Sequence, residues 1–215
     1  MCFSAPASFT AGIMLSSLGV LAIRKVEQKK DLPLASVPVF FGIHQIIEGF
    51  VWLSFQNSSF NTLFTYLFVL FAYVFWPIYI PFTILSLEQS GWRRKVLWGF
   101  QIIGIISAGY LLYDIISTPV ASFIVKNSIC YSIPNISLPV GILYLAALCL
   151  GHFFSSNTFI KVLGVFGVVS LLIAYFFYTE TYASVWCFFA AIISGSIYWY
   201  LSSRNKFLRK DVSEK

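Results

Sequence analysis

Seven long apolar runs, separated by short segments that hold nearly all the charges, constrain this sequence more than any other feature. Each run is about 20 residues long, the length an α-helix needs to cross the hydrocarbon core of a bilayer. We place them at residues 5–23, 34–55, 62–87, 96–117, 135–154, 159–178 and 184–202. The expected fold is all-α, a polytopic membrane protein built as a bundle of seven transmembrane helices.

The composition excludes the soluble alternatives. Of the 215 residues, 59% are hydrophobic and only 10% are charged, against about 25% charged in an ordinary soluble domain. A chain of this size cannot bury so much apolar surface in its own interior. A soluble enzyme, a disordered tail and a disulfide-rich secreted module are therefore excluded, and the lipid bilayer is the expected partner. We assign residues 1–202 to one transmembrane domain and 203–215 to a basic tail.

The basic residues predict the orientation. Of the 14 Lys and Arg, all except Lys126 fall on one side of the seven-span arrangement. Cytoplasmic loops carry an excess of Lys and Arg, so the N-terminus is expected outside and the C-terminus in the cytoplasm. The formal charge of +6 comes from these loops and the tail. It therefore indicates membrane topology, and no nucleic-acid partner is expected.

Two sets of motifs carry a family resemblance. The chain opens with Met1-Cys2-Phe3-Ser4-Ala5 and Ala7-Ser8-Phe9, and the second run contains His44-Gln45, Glu48-Gly49 and Val51-Trp52-Leu53. In these motifs the chain resembles a family of small bacterial integral membrane proteins defined by a domain of unknown function. The resemblance covers most of the chain. It implies a multi-pass fold in the bacterial inner membrane, and it implies no activity.

The second run carries the clearest candidate site. His44, Gln45, Glu48 and Trp52 fall within an arc of about 100° on a helix, and the rest of the run is apolar. Placing an ionisable group inside a membrane costs about 2.5–3.5 kcal/mol, and such groups usually face the bundle interior. Two interpretations remain open: a ligand or proton site, or a network of hydrogen bonds between helices.

The fourth run has a weaker polar face, which contains Tyr110 and Asp114. Asp114 is three residues from the outer end of its run, and Glu48 is about seven residues from the outer end of its own. We expect the two carboxylates to line one outward-facing cavity, unless Asp114 lies in the headgroup region. Glu180, at the outer tip of the sixth run, is expected in solvent.

The cysteines and histidines are candidates for a disulfide, a reactive thiol or a metal site. Cys2, Cys130 and Cys187 map to the outer side, where disulfides can form. One pair could join the 118–134 connection to the top of the seventh run; otherwise Cys2 is a reactive N-terminal thiol, or the thiols are inert. His152 is expected near the cytoplasmic face, too far from His44 to share a metal ion with it. No metal site and no cofactor are expected.

Two further patterns concern the helices themselves. Pro77 and Pro81 should bend the third run and free backbone carbonyls near Tyr73 and Pro77. In the seventh run, one face is expected to pack on other helices and the opposite face to meet lipid. The packing face consists of Cys187, Ala191, Ser194 and Tyr198, and the lipid face of Trp186, Phe189, Ile193 and Ile197.

These observations favour a protein that recognises or transports a small solute through an outward-facing polar pocket, with protonation of Glu48 linked to that process. An intramembrane enzyme acting on a lipid or lipid-linked substrate is the alternative from another class. A structural subunit of a membrane complex is the third. The pattern of residues leaves the ligand and the oligomeric state open.

Overall fold

The computed structural model describes residues 4–125, 127–132 and 136–213, and for 205–213 the backbone alone. Within these residues the chain forms an antiparallel bundle of seven helical runs. The helices are α1 (Ala5–Ile23), α2 (Leu32–Ser54), α3 (Ser58–Leu70), α4 (Trp76–Leu87), α5 (Gly91–Ser117), α6 (Leu138–Cys149), α7 (Thr158–Phe177), α8 (Tyr182–Ser194) and α9 (Ser196–Ser213). A π-helical segment, Phe71–Phe75, joins α3 to α4. Short 3₁₀ segments, Lys29–Asp31 and Leu150–Phe154, precede α2 and follow α6.

Six of the helical runs are long and apolar enough to cross a membrane. The remaining one, α6 with its 3₁₀ extension, is apolar but shorter, with 12 residues of α-helix and 5 of 3₁₀ helix. The chain is therefore a membrane-embedded, multi-pass helical protein. The crossing of the bilayer by all seven runs, and the outside position of the N-terminus, stay predictions.

A β-hairpin occupies the long connection between α5 and α6, where the sequence analysis expected only a loop. Strand β1 (Ala121–Val125) pairs antiparallel with β2 (Ser128–Ser132), and Val125 lies opposite Ser128. Asn127, in the turn, has a φ of 61°, a left-handed conformation that asparagine tolerates better than most residues. The hairpin is attached to α3, because the hydroxyls of Thr65 and Ser122 are 2.8 Å apart and hydrogen-bonded.

The two ends of the bundle differ in charge. We call the end with the hairpin, the α2–α3 turn and the α7–α8 connection the hairpin end. The opposite end, with the α1–α2, α4–α5 and α6–α7 connections, is the basic end. The basic end holds every Lys and Arg whose side chain is described: Arg24, Lys25, Lys29, Lys30, Arg93, Arg94, Lys95, Lys161 and Arg204.

Two buried carboxylates tie the connections together at the basic end. Asp31 is completely buried and receives two hydrogen bonds from Arg204 of α9, one of 3.0 Å from Nη1 and one from Nη2. Glu88 accepts from the backbone N–H groups of Ser156 at 2.6 Å and Ser90 at 2.9 Å, and from the Ser156 hydroxyl at 3.0 Å. Burial alone would raise the pKa of the Glu88 carboxyl, but these hydrogen bonds outweigh it and hold the pKa below its usual 4.5.

The π-helical segment ends at Phe75, two residues before Pro77, which lacks the N–H that a regular helix would use. Side chains from neighbouring helices satisfy carbonyls in this distorted region. The Tyr144 hydroxyl donates to the Ala72 carbonyl at 2.8 Å, and the Gln101 amide donates to the Ile78 carbonyl at 3.2 Å. These acceptors adjoin the positions, Tyr73 and Pro77, near which the proline pattern predicted free carbonyls.

Candidate functional site

His44, on α2, is completely buried and holds two hydrogen bonds. Its Nδ1 is 3.2 Å from the indole Nε1 of Trp76, and its Nε2 is 3.2 Å from the carbonyl oxygen of Phe68. An indole N–H can only donate, so Nδ1 is the acceptor. Nε2 therefore carries the proton and donates to Phe68. With both ring nitrogens engaged, the imidazole is neutral. It anchors α2 to the third helical run, which consists of α3, the π-helical segment and α4.

Glu48 lies one helical turn further along α2 and is also completely buried. It accepts a short hydrogen bond from the Ser184 hydroxyl of α8, and a long one, 3.4 Å, from the side-chain amide of Gln45. The Gln45 Oε1 atom is buried and has no hydrogen-bond partner. The structure thus brings three of the predicted site residues, His44, Gln45 and Glu48, into the interior between α2, the third run and α8.

A cavity of about 110 Å³ lies between α2, α4, α6, α7 and α8; we call it the central cavity. Nearly all of its lining is apolar. Its lining includes Phe41, Trp76, Tyr144, Leu148, His152, Gly164, Trp186, Cys187, Ile193 and Ile197. The prediction that Trp186, Ile193 and Ile197 face lipid is therefore wrong. Trp186 is buried because its indole N–H donates to the Gly167 carbonyl of α7 at 3.1 Å.

A second cavity, of about 200 Å³, lies at the hairpin end between the third run, strand β2 and the α7–α8 connection. We call it the hairpin cavity. Its lining mixes polar and apolar groups and is rich in tyrosine: Tyr73, Ile129, Tyr131, Ile136, Glu180, Thr181, Tyr182 and Ala183.

Three tyrosines, which we call the tyrosine layer, separate the two cavities: Tyr73, Tyr144 and Tyr182. Tyr73 and Tyr182 line the hairpin cavity. Tyr144 lines the central cavity, and its ring stacks on that of Tyr73 with centroids 5.6 Å apart. A lining residue of one cavity is thus in direct ring contact with a lining residue of the other. Ser184, which donates to Glu48, follows Tyr182 by two residues in the first turn of α8.

The other predicted site residues lie elsewhere. Trp52 is half-buried, and its buried Nε1 has no hydrogen-bond partner. Tyr110 is 42% exposed on the surface of α5. Asp114 is half-buried, and its Oδ2 has no partner. Because α5 packs mainly on α4 and α6, and α2 on α1, α3 and α8, Asp114 and Glu48 belong to different interfaces. A shared cavity for them stays a prediction.

Two of the predicted outer thiols can be located. Cys130 is half-buried on β2, and Cys187 is buried inside the bundle rather than at the outer face; both are free. They therefore form no disulfide between the hairpin and α8. Burial, and then the charge of Glu180, raise the pKa of the Cys130 thiol. Cys2 lies outside the described residues. Within the described part of the chain, no three His, Cys, Asp or Glu residues are grouped to hold a metal ion.

The sequence analysis missed Ser184 and the tyrosine layer. A signal for Ser184 was present, because it lies three residues before Cys187 and extends the predicted packing face of α8 by one turn. Tyr73, Tyr144 and Tyr182 had no comparable signal. Tyrosine is common near the ends of membrane helices, and no spacing within one run shows that tyrosines from three runs will meet.

The fold and these cavities define a class: a multi-pass helical membrane protein with polar groups and two adjoining cavities inside its bundle. The chain belongs to a family of unknown function, DUF6629, whose model matches residues 1–212. This confirms the predicted membership in an uncharacterised family, while the bacterial source stays a prediction. No curated protein and no solved structure matches the chain.

Proposed function

We propose that this membrane protein recognises or transports a small solute that enters the bundle at the hairpin end. One observation carries the proposal: the hairpin cavity and the central cavity adjoin across the stacked rings of Tyr73 and Tyr144. Ligand sites in helix bundles are typically concave, mostly apolar and equipped with a few polar groups. The two cavities together have this character.

Opening the tyrosine layer requires little energy. The stacking of Tyr73 on Tyr144 contributes about 0.5–1.5 kcal/mol beyond the burial of the two rings. A ring rotation that breaks it is therefore accessible without a ligand. A solute held in the hairpin cavity could then reach the central cavity.

The polar network beside the layer provides the proton link. Tyr182 and Ser184 share the first turn of α8, and the Ser184 hydroxyl donates to Glu48. A shift of this turn that moves Tyr182 also moves a donor of the Glu48 carboxylate. Hydrogen bonds to the charged form favour ionisation, so opening the layer and protonating Glu48 would be coupled.

Cysteine accessibility in sealed vesicles tests the route. In a protein whose four cysteines, Cys2, Cys130, Cys149 and Cys187, are replaced by serine, a single new cysteine is introduced. It is either Ala183→Cys in the hairpin cavity or Ala190→Cys in the central cavity. A charged, membrane-impermeant thiol reagent added at the hairpin side should label position 183 quickly and position 190 slowly. Adding Tyr73→Leu removes the stacked pair of rings and should accelerate the labelling at position 190 about twofold to tenfold.

Ile192→Cys serves as the control, because Ile192 is 55% exposed on the outside of α8 and should resist the charged reagent in lipid. If the cysteine at position 190 reacts only with a membrane-permeant reagent, and Tyr73→Leu does not change its rate, there is no route between the cavities and the proposal fails.

The apolar lining of the central cavity favours one second candidate, the binding of a lipid chain. Tyr144, Leu148, Trp186 and Ile193 present hydrocarbon and ring surface, which suits an alkyl chain better than a polar solute. Lipids that copurify with the parent protein, but not with Ala190→Trp, would support this candidate. Catalysis on such a lipid, and a purely structural role in a complex, stay predictions.

A further inference from the structure

The hairpin cavity combines aromatic rings with a carboxylate. Among the described residues that line it, Tyr73, Tyr131 and Tyr182 contribute the rings and Glu180 contributes the carboxylate. The faces of aromatic rings attract cations through their quadrupole, by about 0.5–2 kcal/mol for each ring, and cages of such rings recognise quaternary ammonium groups. An adjacent carboxylate adds a full countercharge.

Two of the rings are held in place before any ligand arrives. The ring of Tyr131 stacks on Phe68, with centroids 4.1 Å apart and planes 5° from parallel, and Tyr73 stacks on Tyr144. Ordering side chains on binding reduces affinity, so a preformed cage retains more of its interaction energy.

The charge distribution also suits a cation. Asp114 and Glu180 lie towards the hairpin end, whereas every Lys and Arg with a described side chain lies at the basic end. Lys126, the remaining basic residue of the hairpin sequence, is outside the described residues. One feature opposes a cation: the first-turn N–H groups of α8 border the cavity, and a helix N-terminus favours anions. The experiment therefore includes an anion.

We infer that the hairpin cavity binds a small organic cation, a quaternary or protonated amine, with its charge at Glu180 and its alkyl groups against Tyr73, Tyr131 and Tyr182. This inference rests on the proposed function, because it names the class of solute that enters the same route.

Three compounds of nearly the same shape test it on the purified full chain by titration calorimetry: choline, neutral 3,3-dimethylbutan-1-ol and anionic 3,3-dimethylbutanoate. Choline should bind most tightly. Glu180→Gln should weaken choline binding about fivefold or more. Glu27→Gln, which removes an exposed carboxylate at the basic end, should leave it unchanged. Tyr182→Leu should weaken binding, whereas Tyr182→Phe, which keeps an aromatic face, should retain it.

Equal binding of choline and the neutral compound, tighter binding of the anion, or an unchanged affinity in Glu180→Gln would each overturn the inference. None of these results affects the proposed function, which depends on the labelling of positions 183 and 190. Conversely, choline binding with no labelling at position 190 would support a cation site at the hairpin end and reject the route into the bundle.

Discussion

Replacing Glu48 with glutamine should stabilise the protein, although the residue is buried and ionisable. In the parent, Glu48 accepts from Ser184 and Gln45, and Gln45 Oε1 has no partner. In Glu48→Gln, the new side chain can still accept from Ser184. Its amide can donate to Gln45 Oε1 once the Gln45 amide turns over, which leaves the Gln45 nitrogen, instead of the Gln45 oxygen, without that partner.

The magnitude follows from these contacts. Two hydrogen bonds to a charged group become neutral ones, a loss of about 1 kcal/mol each. Turning over the Gln45 amide exchanges an unpaired oxygen for an unpaired nitrogen and changes the stability little, whereas the desolvation penalty of a buried charge, several kcal/mol, disappears. We expect a net gain of about 1 kcal/mol or more. Glu48→Ala, by contrast, removes the acceptor of Ser184 and Gln45, leaves a void and should lose about 3–5 kcal/mol.

Unfolding of the purified protein in detergent, followed by circular dichroism, measures both changes. Glu27→Gln is the control for loss of a negative charge. A loss from Glu48→Gln as large as that from Glu48→Ala would refute the reasoning.

The proton link is tested separately: labelling at position 190 should depend on pH in the parent and not in Glu48→Gln. Identical pH profiles would rule out a titrating role for Glu48.

Two other predictions concern the basic end and the helix packing. Because the folded pKa of Glu88 lies below 4.5, its carboxylate stabilises the fold above that pH, and this contribution is lost as the pH falls through the folded pKa. Thermal unfolding should therefore show a steeper loss of stability below about pH 4.5 in the parent than in Glu88→Gln. Gly164→Ala would place a Cβ 2.4 Å from the His152 Cβ and should lose about 1–3 kcal/mol. Gly167→Ala, with no atom within 4 Å, should be neutral or slightly stabilising; equal losses in both would contradict the packing.

The hairpin shows what hydropathy misses. Segment 121–132 was interpreted as a connection because it is too short and too polar to cross a bilayer, and both statements are correct. Its run of aromatic and β-branched residues, Phe123, Ile124 and Val125, and the turn-forming Asn127 are typical of a hairpin. An isolated hairpin is marginally stable, so the strands depend on their attachment to α3, through Thr65 and Ser122. That attachment is a tertiary contact, which the local pattern does not contain.

The predicted polar stripe of α2 and its actual partners illustrate the same limit inside the bundle. Helical spacing determines the angle between His44 and Glu48 about one axis, and this angle was predictable because it needs only the residue numbers. Which group meets each side chain depends on how far neighbouring helices are shifted along their axes. Trp76, which donates to His44, directly follows the π-helical segment, and Ser184, which donates to Glu48, lies in the first turn of α8. The residues that hydrogen-bond to the polar stripe thus lie at irregular points of their helices, beside the π-helical segment and at the start of α8. Variants at Trp76 and Ser184 should therefore perturb the Glu48 region as much as variants within the stripe itself.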